Sequence, residues 1–183
     1  MKLCIKLAKM TLFFAVVILF CRFVLLPHVF PRKYQKEIEY FCQQYDLPDS
    51  LVYGVVFTES RFEEGAVSVK EAKGLMQIGK GTGEWAGGLL DIAEYSQEML
   101  FEPRINIKIG CWYLNKLMNQ FGVLETALAA YNAGSGNVSK WLQDEKYSDD
   151  GVTLKEIPYG ETKRYVKKVM IVQRIYQWLY DIE

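Results

Sequence analysis

Leu51-Val52-Tyr53-Gly54-Val55-Val56-Phe57-Thr58-Glu59-Ser60 reads as a buried helix that ends in a carboxylate. Leu51, Val52, Val55 and Val56 recur at helical spacing, and Glu59 follows the last two by four and three residues. The acid therefore shares the apolar stripe. Desolvated there, it keeps its proton near neutral pH, as a general acid must. The other reading is a helix-terminal glutamate that reaches water or pairs with Arg61. The segment alone leaves both open.

Helical patterning continues on either side. Ile38, Phe41, Cys42 and Tyr45 form an i, i+3, i+4, i+7 stripe closed by Asp46-Leu47-Pro48, and Pro48-Asp49-Ser50 opens the Glu59 helix. Residues 61–88 carry glycines at 65, 74, 79, 81, 83, 87 and 88, which predicts a loop-rich stretch with one short helix. Pro103 starts a long helix with Ile105, Ile109, Trp112, Tyr113, Leu117 and Phe121 as its apolar positions, stopped by Gly122. A small-residue helix spans Leu124 to Ala133, and a shorter one lies around Val138 to Leu142. Residues 143–160 read as a polar surface loop. A last helix from Glu161 to Ile182 places Tyr165, Val169, Val172, Tyr176 and Leu179 on one stripe. No period-2 strand pattern stands out, so residues 32–183 form a mainly α domain.

Residues 1–31 are of a different kind. Lys2, Lys6 and Lys9 precede an apolar run over residues 10–30, long enough to cross a bilayer at roughly 20 residues per crossing. Arg22 interrupts the run and must snorkel or sit near an interface. With no small-x-small cleavage site, the reading is an uncleaved N-terminal anchor, transmembrane or signal-anchor in type, with the domain outside the cytoplasm. Secretion after signal cleavage is the alternative.

Composition removes several chemistries. The chain is neutral overall, but residues 32–183 hold 18 basic and 22 acidic residues, which gives no electrostatic case for nucleic acid. The only histidine, His28, lies in the anchor, so the domain has neither a histidine-activated nucleophile nor a zinc-ligand cluster. Cys4 and Cys21 belong to the anchor. Cys42 and Cys111 lie on apolar helix faces and read as buried thiols, or as a pair if the two helices touch.

Three ordered motifs then carry a resemblance. Glu59-Ser60-x-Phe62, Ala66-Val67-Ser68 and Gly74-Leu75-Met76-Gln77-Ile78 resemble the first signature of the soluble lytic transglycosylase (SLT domain) family, of lysozyme-like fold. Ala129-Ala130-Tyr131-Asn132-Ala133-Gly134 resembles the second, and Pro158-x-x-Glu161-Thr162-x-x-Tyr165-Val166 the third. The resemblance implies a helical lysozyme-like domain, without metal or cofactor. Its implied reaction is cleavage of the β-1,4 bond between N-acetylmuramic acid and N-acetylglucosamine, with formation of a 1,6-anhydro ring. Glu59 matches the glutamate that acts as acid and then as base. Ser68, Gln77 and Asn132 match substrate-facing positions, Met76 a cleft wall, Tyr131 a sugar-stacking position, and Tyr165 a hydroxyl that approaches the acid. The partners implied are peptidoglycan strands, the cytoplasmic membrane through the N-terminal segment, and cell-wall or secretion machinery. Glu161 reads mainly as a helix-dipole partner. Gly79-Lys80-Gly81-Thr82 lacks the proline usual in the family, which predicts a more mobile loop after Gln77. A muramidase-type hydrolase on the same fold, and a silent glycan-binding module, are the alternatives.

Overall fold

The computed structural model describes residues 2–183, apart from the side chains of residues 2–5 and 8, so Met1 and the thiol of Cys4 lie outside the described residues. An apolar helix α1 (Lys2–Phe20) runs through a π-turn (Cys21–Leu25) into a short α2 (Leu26–Val29). The domain comprises α3 (Gln35–Tyr45), α4 (Asp49–Glu59), α5 (Lys80–Leu89), a 3-10 turn (Gln97–Phe101), α6 (Pro103–Phe121), α7 (Leu124–Ala133), α8 (Ser135–Leu142) and α9 (Gly160–Tyr180). Among the described residues there is no strand; Lys73 makes isolated antiparallel bridges with Val67 and Ile78.

Helix α4 is the axis of the domain. Every residue from Ser50 to Val56 is buried, with α9 covering one side of the helix and α3 packed on another. Pairing of α4 with α9 is the most extensive in the molecule, and it depends on Gly54. A Cβ there would stand 3.1 Å from the Val169 carbonyl oxygen and 3.3 Å from the Gln173 nitrogen. Tyr53 and Tyr176 stack beside this crossing at 4.9 Å between ring centroids. The stripe of α9 expected from sequence is the buried one: Tyr165, Val169, Val172, Tyr176 and Leu179 all face inward.

The glycine-rich run is a loop followed by one short helix, as its composition predicts: Gly79 caps α5, which runs through Gly83 and Gly87. Both glycines lie under Tyr95, where a Cβ would fall 2.1 Å and 2.6 Å from ring or hydroxyl atoms. The glycines thus serve tight packing. In α6 the inward face is Ile107, Cys111 and Leu114 with Ile109 and Leu117, whereas Trp112 and Tyr113 are only half-buried. Cys42 and Cys111 meet where α3 packs on α6, as free buried thiols, and the Cys111 thiol beside Cys42 pushes its ionisation far up.

Candidate active site

Glu59 is the last residue of α4, and a sharp chain reversal keeps it at the lip of the core. Arg61 and Phe62 both take left-handed backbone angles (φ 53° and 65°), so the chain turns back at once. Phe62 returns to the core at 3% exposure. Ser60 Oγ donates to the Leu75 carbonyl at 2.8 Å, tying the end of α4 to the Gly74–Ile78 segment.

That segment is built around Asn106, a fully buried amide on α6. Its Oδ1 accepts from Met76 N at 2.7 Å, and its Nδ2 donates to the Lys73 and Leu100 carbonyls at 2.9 Å and 2.8 Å. Gly74 fits beneath it with φ +76°; a Cβ would lie 2.2 Å from the Leu100 oxygen and 2.3 Å from Asn106 Nδ2. The result is a rigid floor beside the acid.

Glu59, Ser68, Val69, Lys70, Ala72, Gln77, Tyr131, Asn132 and Glu161 line one open cavity of about 420 Å³. Lys70, Ala72, Gln77, Tyr131 and Asn132 also line its extension of about 340 Å³ toward Thr82 and Tyr113, so the two form a continuous groove. A wider hollow of about 590 Å³ lies at the other end of α4 around Cys42, Asp46 and Asp49, remote from these residues.

Glu59 keeps partial exposure through the cavity, but the protein packed around its carboxylate desolvates it and raises its pKa from 4.5 to about 7. Tyr165 and Lys168 oppose the rise, and the charge of Glu161 adds to it. Tyr165 is 7% exposed, and its hydroxyl is held in full hydrogen-bonding geometry by no acceptor. The carboxylate of Glu59 is the group on which it acts, favouring the ionised form. Lys168 Nζ donates to the Thr58 carbonyl at 3.3 Å, one of the open carbonyls at the end of α4, which holds this cation next to the acid.

The other polar groups are half committed to the protein. Ser68 Oγ accepts from Ala72 N at 3.0 Å within a turn, which leaves its proton free to donate. Gln77 stands at φ 49°, and its Nε2 donates to the Ala66 and Gly74 carbonyls at 3.1 Å and 2.9 Å, leaving Oε1 for the cavity. Thr162 donates to Asn132 Oδ1 at 2.8 Å, which orients the amide and leaves Nδ2 free. One donor hydroxyl, one acceptor oxygen and one donor amide therefore surround the acid, a set suited to the acetamido and hydroxyl groups of an amino sugar.

Met76 and Tyr131 are placed differently from expectation. Met76 is fully buried with its sulfur packed on Gly110, so its side chain is not a cleft wall. Tyr131 borders the cavity, but its hydroxyl donates to the Met76 carbonyl at 2.9 Å and serves the floor. Sequence reasoning underweighted Glu161, which the first turn of α9 brings to the cavity wall. It missed Lys168, Thr162 and Asn106 as supports. A polar residue at a core position of α6 was the only available signal for Asn106.

This constellation, a desolvated glutamate in a polar groove on a helical domain, is suited to general acid–base chemistry. Residues 37–152 match the transglycosylase SLT domain, and the chain belongs to that family. Over 152 residues it is 34% identical to the soluble lytic murein transglycosylase of Escherichia coli, covering 81% of this chain and 24% of that protein. It is 30% identical over 172 residues to the membrane-bound lytic murein transglycosylase C of Yersinia pestis, covering 80% and 47%. Among solved structures, an inactive mutant of the lytic transglycosylase Slt from Pseudomonas aeruginosa superposes with a TM-score of 0.75 at 31% identity, covering 85% of this chain and 26% of that one. A complex of the 70-kDa soluble lytic transglycosylase with bulgecin A gives 0.74 at 30% identity, covering 84% and 25%. The chain thus spans about a quarter of the length of its soluble relatives.

Proposed function

We propose that the chain is a peptidoglycan lytic transglycosylase, with residues 32–183 as the catalytic domain and residues 1–31 as a single membrane-spanning anchor that holds it outside the cytoplasm. The observation that carries the reading is the Glu59 carboxyl with a pKa of about 7, set in the groove that Ser68, Gln77 and Asn132 share. At neutral pH such a group exists in both forms, so it gives up a proton and takes one back at little cost.

In the first half, the Glu59 carboxyl protonates the glycosidic oxygen as the bond from C1 of the muramic residue breaks. Positive charge grows at C1 while Glu59 becomes a carboxylate, a form that Tyr165 and Lys168 favour. In the second half, the C6 hydroxyl of the same sugar attacks C1 and its proton passes to Glu59. A 1,6-anhydro ring closes, the acid is restored and no water is consumed. Ser68, Gln77 and Asn132 hold the amino sugars through their remaining hydrogen-bonding groups.

One observation favours a second reading. Glu161 lies on the same cavity wall, and two carboxylates with water between them would hydrolyse the bond instead. Digestion of purified cell wall in heavy-oxygen water separates the two, because only hydrolysis adds solvent oxygen to the product.

The anchor reading is supported by Lys9–Val29, a helical stretch long and apolar enough to cross a membrane, none of which is buried against the domain, and by the similarity to a membrane-bound relative. Extraction of membranes with carbonate tests it: an integral anchor stays in the pellet.

A further inference from the structure

The outer end of the apolar helix does not leave the domain on a free tether. Arg22, well inside the apolar stretch, donates to the Trp178 carbonyl at 3.1 Å, one of the open carbonyls in the last turn of α9. Its guanidinium also lies 4.6 Å over the Trp178 ring. Farther along, Tyr180 Oη donates to the Phe30 carbonyl at 2.6 Å and Tyr176 Oη to the Pro31 carbonyl at 2.9 Å. Phe30 packs on Phe57 at 4.9 Å. Helix and domain are fastened at Arg22 and again at Phe30 and Pro31.

This fastening fixes a depth. Phe23, Val24, Leu25 and Val29 lie between Arg22 and the domain's first residues and remain 46–66% exposed. Flanked by this apolar surface, the Arg22 guanidinium must reach the polar headgroups, and the last turn of α9, docked on it, stands in the interfacial layer, where tryptophan is favoured.

The outer face of α9 continues from that point. Arg164, Lys167, Ile171, Arg174 and Trp178 succeed one another at spacings of three and four residues, which puts them on one stripe about 20 Å long. All five are exposed, Ile171 at 47% and Trp178 at 60%. The stripe has three cations and no acid, and among the described residues none of the three makes an ion pair. Tyr165 and Val169, on the opposite side of the same helix, face Glu59 and the core.

We infer that this stripe of α9 lies on the anionic phospholipid headgroups of the membrane that holds the anchor. The occupant is set by charge complementarity and by continuity with the anchor at Trp178. The domain then rests on α9 with the active groove turned away from the bilayer, and it cuts glycan close to the membrane surface. This placement rests on the proposed anchor and is independent of the chemistry assigned to Glu59.

The test uses the full chain in vesicles whose lipids carry bromine near the headgroup end of the acyl chains. Of the four tryptophans, only Trp178 lies on the stripe, so about one quarter of the emission is quenched in the wild type and the Trp178→Phe variant loses that quenching. Adding Ile171→Trp to Trp178→Phe restores quenching in vesicles containing phosphatidylglycerol. The restored quenching falls at least twofold in neutral vesicles, or when Arg164 and Arg174 are changed to Glu. Protein that floats with the vesicles without quenching at either position overturns the placement, as does equal quenching of the Ile171→Trp probe in neutral vesicles. Release of that probe by soluble polyglycerol phosphate reassigns the stripe to an anionic wall polymer and also overturns it. Protein that fails to float contradicts the anchor instead. Wall cleavage by each variant, measured in detergent, stays at the wild-type level and confirms that the domain is folded.

Discussion

Glu59→Gln should make the protein more stable, and only above a certain pH. Glutamine has the shape of the protonated acid and cannot ionise. In the unfolded chain Glu59 titrates near 4.5; in the folded chain burial holds it at about 7. Below pH 4.5 both states are protonated, and the two proteins unfold alike. Between 4.5 and 7 the unfolded wild type ionises first, so its folded state loses stability as pH rises, whereas the variant does not. Above 7 the difference is complete. At about 1.4 kcal/mol per pH unit this amounts to ~3 kcal/mol, reduced to ~2 kcal/mol where water enters through the cavity. For a domain of this size that corresponds to a rise in melting temperature of roughly 4–10 °C. Denaturant titrations of the full chain in mild detergent, followed by tryptophan emission at pH 4 and pH 8, measure it directly. A variant that gains nothing between the two pH values would refute the claim that Glu59 is a desolvated acid.

Tyr165→Phe removes a group that favours the Glu59 carboxylate, so the alkaline limb of the pH–rate profile should move up by about one pH unit while kcat falls roughly tenfold; an unmoved limb with reduced kcat would mean that Tyr165 only packs. Asn106→Leu strands the Met76 nitrogen and the Leu100 carbonyl in the core, while the Lys73 carbonyl keeps its bond from Ile78 N, with an expected cost of about 3 kcal/mol by denaturant titration. Gly74→Ala forces a Cβ onto the Leu100 oxygen at positive φ, with an expected loss of ~3 kcal/mol and a collapse of wall-cleaving activity. Thr162→Val frees Asn132 to rotate and should raise KM several-fold with stability changed by less than about 1 kcal/mol.

The fold was legible where one helix face carries an unbroken apolar stripe. The inward residues of α9 and the bounds of α4 and α7 are set by spacing, caps and small residues, because burial there is decided by single helices packing on each other. It was not legible where glycine serves close packing. Gly83 and Gly87 look like loop residues in a sequence, and only the position of Tyr95, eight and more residues away, makes them helical. The acid itself was legible, since Glu59 sits on an apolar stripe. Its neighbours were legible as residue types but not as directions: Met76 lies in the apolar motif Leu75-Met76-Gln77-Ile78 yet turns inward onto Gly110, while Gln77 beside it faces the groove. Glu161 was read as a partner of its own helix dipole, because the long polar stretch before it hides where α9 begins relative to α4. Arg22 was marked as a cation needing an outlet; its partner, the Trp178 carbonyl, lies 156 residues away and no local pattern points to it.

Glu59 alone moves the proton in both halves of a cleavage that uses no water, and mass spectrometry of muropeptides released from purified cell wall in heavy-oxygen water reads this out. The expected products are lighter than the reducing-end sugars by one water and free of solvent oxygen, and the Glu59→Gln protein yields none. Reducing-end products carrying the heavy oxygen would contradict it and assign Glu161 the part of a second carboxylate.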